Sequence, residues 1–173
     1  MMKKILLFTA ALLASANVIA NDTEQALKQV ISSFETSINN KDKETFMTLF
    51  VEGNVSWVGV FSQVDYENEL AWANSEAGQA LKRRIGDKFR EPAKYRHSSP
   101  ELFIDSIINN AKQPREKIDN VKTISDGEMA IILFDYEFYD GEKKVNYGKE
   151  SWQLINTGKG WKISAVNYSI ARG

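Results

Sequence analysis

The chain has 173 residues, with 22 basic and 23 acidic side chains, a formal net charge of −1 and no cysteine. This charge balance argues against nucleic-acid binding, which needs a clustered excess of positive charge. The lack of cysteine excludes disulfides and a lipoprotein-type anchor, so burial alone must stabilise the fold.

The first 20 residues have the three parts of a secretory signal. A basic start is followed by an apolar run at residues 5–14 and by small residues ending at Val18-Ile19-Ala20. The apolar run is too short to cross a bilayer. We therefore expect a chain cleaved before Asn21, periplasmic or secreted, without a membrane anchor once the signal is removed, and with one domain at residues 21–173.

Helical spacing of apolar residues dominates the first half of this domain. It predicts two helices, a strand, a charged helical segment broken at Gly78 and a further helix capped by Ser99-Pro100. The first four of these elements fall at residues 23–38, 42–50, 55–61 and 65–89.

The hydrophobic period changes to two at Ile118. Turns at Asp126-Gly127, at Asp140-Gly141 and at residues 156–160 then separate four predicted strands. These strands cover residues 118–125, 129–139, 144–155 and 161–170. Helices followed by a meander predict an α+β fold, with N-terminal helices packed on a curved antiparallel sheet.

The closing run Gly158–Ser169, together with the helix pair and the aromatic strand at Trp57, resembles the nuclear transport factor 2-like superfamily, and especially its SnoaL-like and kinase-association-domain members. The resemblance implies a cone-shaped, cystatin-like α+β barrel with a ligand pocket at its wide end, and a homodimer through the outer sheet face. It does not imply one chemistry. Many relatives carry two histidines where this chain has Ala165 and Asn167, so histidine chemistry on that strand is not expected.

Strict alternation along the last strand places Trp161, Ile163, Ala165, Asn167 and Ser169 on one face. That face is apolar at its start and polar at its end, as in a pocket with a polar mouth. It makes Asn167 and Ser169 candidate ligand contacts. The alternative for Asn167 is a hydrogen bond to a neighbouring loop.

Asp135 is a candidate general base, depending on which side of its strand faces the core. If the side carrying Ile131 and Leu133 lines the cone, Asp135 lies in an apolar wall and its pKa rises, as a base requires. The other side, with Phe134 and Tyr136, is richer in aromatics and is the favoured core. In that case Asp135 faces solvent or a dimer partner.

Three aromatic residues could form a stacking cage that contains a phenol donor: Trp57, Tyr136 and Tyr147, the last expected opposite Tyr136 on the next strand. The alternative is that these large side chains only fill the core of the sheet.

The segment at residues 62–98 is longer than the resemblance implies, and we interpret it as an insert that could cover the cone as a lid, with Trp72 touching the ligand. His97, the only histidine, is a second candidate base, although a loop position favours a solvated side chain. One histidine without cysteine argues against a metal site. No nucleotide or redox-cofactor motif is present, so no cofactor is expected.

Three functions remain open. The first is an exported accessory protein that binds a hydrophobic or aromatic small molecule, and the second is an acid/base lyase or isomerase acting on such a molecule. The third is a protein-interaction module of the cell envelope.

Overall fold

The computed structural model describes the backbone of residues 6–173 and the side chains of residues 22–173. The predicted signal peptide at residues 1–20 lies outside the described side chains and stays a prediction. Among the described residues, no helix combines the length and apolar character needed to cross a membrane.

The predicted helices and strands occur in the predicted order, and one short strand that was not predicted, β2, lies where a loop was expected. The helices are α1 (Leu6–Asn40), α2 (Lys43–Thr48), α3 (Gln63–Asn74), α4 (Glu76–Ile85) and α5 (Pro100–Ile108), with a 3-10 turn at Gly86–Lys88. The strands are β1 (Ser56–Phe61), β2 (Tyr95–His97), β3 (Pro114–Ser125), β4 (Met129–Asp140), β5 (Lys143–Asn156) and β6 (Trp161–Arg172). The Ser99 hydroxyl accepts from the Leu102 N–H at 3.2 Å and so caps α5 as predicted.

The strands form one sheet in the order β2-β1-β6-β5-β4-β3. Strands β3 to β6 pair antiparallel in sequence order, which confirms the predicted meander. Strand β1 runs parallel to β6, contrary to the expectation of a purely antiparallel sheet. The two strands are joined through the rest of the chain and not by a hairpin, so no tight turn imposes an antiparallel direction.

Helices α1, α2 and α5 pack with one face of the sheet, here called the inner face, around a core of aromatic side chains. At its centre the Trp152 ring lies 4.7 Å from Phe34 of α1 and 4.9 Å from Phe134 of β4. On β4 the inner face is the aromatic side, including Phe134 and Tyr136, whereas Ile131 and Leu133 are exposed on the outer face.

The insert at residues 62–98 contains α3, α4, the 3-10 turn and β2. The predicted break at Gly78 lies instead at Ser75, which ends α3 and whose hydroxyl accepts from the Gly78 N–H at 3.2 Å. Gly78 serves a different purpose, because a Cβ there would lie 2.3 Å from the carbonyl oxygen of Trp72. The glycine lets the two helices meet closely.

Candidate functional site

Two glutamates lie on the inner face of the sheet. Glu116 of β3 is 7% exposed and Glu150 of β5 is 5% exposed. Glu150 Oε1 accepts from the indole N–H of Trp152 at 2.6 Å. Glu116 Oε1 has no hydrogen-bond partner within the described part of the chain. Buried carboxyls without a cationic partner are rare in a core that serves packing alone, so this pair marks a candidate site.

Burial shifts the protonation of both carboxyls. It raises the pKa of Glu150 to about 7. Burial also raises the pKa of Glu116 well above its usual range, and the charges of Glu150 and Glu35 raise it further. Two interacting carboxyls in a low-dielectric region resist simultaneous ionisation and titrate as a pair. Near neutral pH the pair can therefore hold a proton.

Two tyrosines adjoin the acid pair. The Tyr136 hydroxyl donates to the backbone carbonyl of Ser169 at 2.8 Å, and burial together with the Glu150 charge raises its pKa. Gly148 lies opposite Tyr136 on β5, where a Cβ would approach the same carbonyl oxygen to 2.0 Å. The absent side chain therefore leaves the space in which this hydrogen bond forms.

Tyr168 of β6 connects the acid pair with Trp57 of β1. Its ring lies edge-on to Tyr136 at 6.2 Å and to Trp57 at 6.5 Å. Burial raises the pKa of the Tyr168 phenol, the nearby Trp57 indole opposes that rise, and the charges of Glu150 and Glu116 add to it. The Trp57 N–H still lacks a partner of acceptable hydrogen-bond geometry among the described residues. Phenol and indole donors thus accompany the carboxyls on one face.

A cleft of about 950 Å³ runs between the C-terminal half of α1 and β3, and Glu35 lies in its lining. The Glu35 carboxylate accepts from the Ile118 N–H at 3.2 Å, and burial is the main cause of its raised pKa. The charge of Glu35 also raises the pKa of Glu116, so the wall of the cleft and the acid pair interact electrostatically. Leu27, Ile31 and Val121 give the cleft an apolar part that suits a hydrophobic molecule, beside a larger number of polar and charged residues.

Asp135, the first candidate base, lies on the outer face of β4 and not in an apolar wall. Its carboxylate forms an ion pair with Lys149 and accepts from the Asn120 amide at 2.8 Å. The Lys149 hydrogen bond is the main reason that its pKa is lowered. Of the two alternatives for this strand, the structure shows the one in which Asp135 faces outward.

Asn167 and Ser169 are also on the outer face, against the strict alternation assumed for the last strand. The pairing of β6 with β5 skips Ser164, and this bulge reverses the side that each later residue faces. After the bulge, Tyr168 and every second residue on either side of it face the inner side of the sheet. The Ser169 hydroxyl accepts from the Lys149 N–H at 3.0 Å, between the neighbouring strands β5 and β6, and does not reach the core.

The proposed aromatic cage is only partly assembled. Trp57 and Tyr136 are buried on the inner face. Tyr147 is 44% exposed and pairs with Glu137 on the outer face, because the residue opposite Tyr136 is Gly148. Two members of the cage therefore share the site with Tyr168, which takes the place expected for Tyr147.

His97 and Trp72 lie away from the acid pair. His97 is exposed on β2 at the sheet edge, with its ring 5.8 Å from that of Tyr95. Trp72 is 50% exposed on α3 and stacks on Phe89 within the insert. Motion of the insert as a lid stays a prediction. Within the described residues, no group of three or more His, Asp or Glu side chains is placed to hold a metal.

Comparison with solved structures identifies the fold as nuclear transport factor 2-like. A nuclear transport factor 2-like protein with a cystatin-like fold from Novosphingobium aromaticivorans aligns with 100% of this chain and 94% of its own, at a TM-score of 0.59 and 11% identity. A nuclear transport factor 2-like protein from Cytophaga hutchinsonii aligns over 86% of this chain and 98% of its own, at 0.56 and 10%. The sequence-based prediction of this fold is confirmed.

A proposed scytalone dehydratase from Novosphingobium aromaticivorans also has this fold. It aligns with 90% of this chain and 88% of its own, at a TM-score of 0.58 and 10% identity. No protein-family model and no curated protein matches the sequence. These likenesses show the fold alone, which also occurs in a protein named as a dehydratase, and the chemistry of this chain must be argued from its own residues.

Proposed function

We propose that the protein binds a small, hydrophobic or aromatic molecule between the inner sheet face and α5. Two buried polar atoms that have no partner among the described residues, Trp57 Nε1 and Glu116 Oε1, carry this proposal. An unsatisfied buried polar group costs about 1–3 kcal/mol, and a ligand that pairs with it removes that cost. Phe103 of α5 lies 5.2 Å from the Trp57 ring and 6.4 Å from the Phe138 ring, so the surroundings are aromatic.

We also propose that the protein is exported and works as a homodimer paired through the outer sheet face. Export rests on the signal-like residues 1–20. The dimer is supported by apolar side chains on the outer face of β4, where Met129, Ile131 and Leu133 are 57%, 49% and 40% exposed. Adjacent exposed apolar side chains of this kind are typical of interaction surfaces.

Native mass spectrometry of the protein purified from a bacterial periplasm tests these proposals together. The expected result is a dimer of chains that begin at Asn21, carrying a non-covalent small molecule that Glu116→Gln loses and Asp135→Asn retains. A chain that keeps residues 1–20 would contradict export, and a monomer would contradict the dimer. A ligand-free wild type, or equal retention by both variants, would contradict binding at the inner face.

The acid pair supports a second candidate function, a cofactor-independent lyase or isomerase acting by proton transfer. A pKa near 7 lets Glu150 accept or donate a proton at neutral pH, and burial of Glu116 keeps a second proton available. Tyr136 remains a protonated phenol donor under the same conditions. An isomerase of this kind removes a proton beside a carbonyl and returns it, and a lyase removes the proton and expels a leaving group. Both reactions need only a base, an acid and a hydrogen-bond donor, which the two carboxyls and the phenol can supply.

Hydrogen–deuterium exchange at the acidic C–H of 2-tetralone, followed by NMR in D₂O, tests this chemistry with a hydrophobic aromatic ketone. We expect the wild type to accelerate exchange and Glu150→Gln to slow it by about 100-fold, the lower range for loss of an acid/base group. Asp135→Asn is the matched control and should exchange at the wild-type rate. A wild type no faster than buffer would refute catalysis of this class and leave the binding proposal intact.

A further inference from the structure

A second cleft, of about 450 Å³, lies on the insert, away from the acid pair. We call it the arginine cleft, because three arginines from different parts of the chain contribute to its lining. Arg90 follows the 3-10 turn, Arg96 belongs to β2 and Arg172 ends β6. Trp72 and Glu69, both of α3, also line this cleft.

The charges of the arginine cleft do not balance. Glu69 bonds to Arg96, with Oε2 3.1 Å from Nη2, and its other oxygen bonds to Arg172. Each guanidinium offers five N–H donors, so one shared carboxylate leaves most of them unused. Arg90 forms no ion pair within the described residues, and three arginines against one glutamate leave an excess of positive charge. The cleft is thus suited to an anion.

Two of the guanidinium groups are held in place before any ligand arrives. Arg96 and Arg172 lie over the buried Phe61 ring, at 5.1 Å and 5.7 Å from its centroid. Stacking of this kind, together with the Glu69 bonds, limits their rotamer freedom. The backbone N–H of Arg172 also donates to Asp65 Oδ2 at 3.0 Å, which ties the end of β6 to α3. Less conformational entropy is therefore lost when an anion binds.

Trp72 gives the arginine cleft an aromatic wall. Its ring is 50% exposed, whereas those of Trp57, Trp152 and Trp161 are at most 7% exposed. It stacks on Phe89 with ring centroids 6.3 Å apart and an interplanar angle of 11°, so its orientation is fixed. A large aromatic ring that stays in solvent beside guanidinium groups with unused N–H donors is a surface on which a planar ligand can stack.

We propose that the arginine cleft binds a planar aromatic carboxylate, with the carboxylate on the guanidinium groups and the ring against Trp72. Carboxylate and guanidinium match in a bidentate geometry, which favours this class of anion. The volume suits a molecule of one or two fused rings. The site is separate from the proposed ligand site at the inner sheet face, and neither depends on the other.

Calorimetric titration of the mature chain with 2-naphthoate tests the proposal. We expect saturable binding that Arg90→Ala weakens by about tenfold, or about 1.4 kcal/mol. Arg83→Ala removes the same charge from an exposed position on α4 and should bind as the wild type does. The affinity should also fall as the salt rises from about 0.05 M to about 0.5 M, because exposed charges are screened.

Three further titrations decide between alternatives. Trp72→Leu should weaken 2-naphthoate binding, and neutral 2-naphthalenemethanol should bind at least about tenfold more weakly than 2-naphthoate. Glu150→Gln should leave the affinity for 2-naphthoate unchanged. Loss of binding in this variant would contradict the proposal and indicate that naphthoate binds at the inner sheet face instead. Equal affinity of the Arg90 and Arg83 variants for 2-naphthoate would overturn the proposal. So would a wild type that binds the neutral alcohol or inorganic phosphate as tightly as it binds 2-naphthoate.

Discussion

Replacement of Trp152 by alanine is expected to lower the free energy of unfolding by about 3–5 kcal/mol, the range for removal of a buried aromatic side chain. Trp152 is fully buried and packs against Phe34 and Phe134. Its N–H is also the hydrogen-bond donor to Glu150 Oε1. The substitution therefore leaves both a cavity and a buried carboxyl without its donor, and each adds to the loss.

Urea unfolding followed by circular dichroism measures this effect. Trp72→Ala is the matched control, because it removes the same side chain from a position that is half exposed. The control should lose much less stability, since little buried surface is given up. Equal losses in the two variants would contradict the assignment of Trp152 to the centre of the core.

Unfolding at different pH values should reveal the acid pair. Glu150 has an ordinary pKa of 4.5 and a folded-state pKa of about 7, so between these values the folded state binds its proton more tightly than the unfolded state. The free energy of unfolding must then decrease as the pH rises through this window. A pKa shift of this size corresponds to about 3 kcal/mol. Glu116 and Glu35, whose pKa values are also raised, act in the same direction.

The variant Glu150→Gln separates this contribution from the others. Glutamine keeps an oxygen for the Trp152 N–H but cannot ionise, so the variant should show a shallower pH dependence and exceed the wild type in stability near pH 8. Asp135→Asn is the control: the pKa of Asp135 is lowered from 3.8, so its titration lies below the window. An unchanged slope in Glu150→Gln would show that Glu150 does not carry the raised pKa.

Much of the fold could be predicted because its signals are local. Turn residues such as Asp126-Gly127 and Asp140-Gly141 separate the strands of the meander where expected, and Ser99-Pro100 starts α5. The aromatic side of β4 was correctly favoured as the core side, since alternation within an uninterrupted strand follows from backbone geometry. The same argument already made an outward-facing Asp135 the favoured alternative.

Neither member of the acid pair was predicted from the sequence, and the two differ in whether a signal for them was present. The strand was predicted to begin at Ile118, because Pro114 and the charged residues after it show no apolar alternation, yet pairing with β4 extends β3 back to Pro114. Glu116 lies in that extension. Glu150 did carry a usable signal, since it alternates with the apolar Trp152 and Leu154 on a strand that had been predicted.

The sequence by itself determined the order of the elements other than β2, the main turns, the α+β class and the resemblance to nuclear transport factor 2-like proteins. It could do so because periodicity, caps and turn chemistry depend on neighbouring residues. Only the tertiary structure decided which side chains share the site. The bulge at Ser164 turned Asn167 and Ser169 outward, and the pairing register put Gly148 instead of Tyr147 opposite Tyr136. Bulges and register arise from hydrogen bonds between strands that are distant in sequence, and a shift of one residue reverses the face of every residue beyond it.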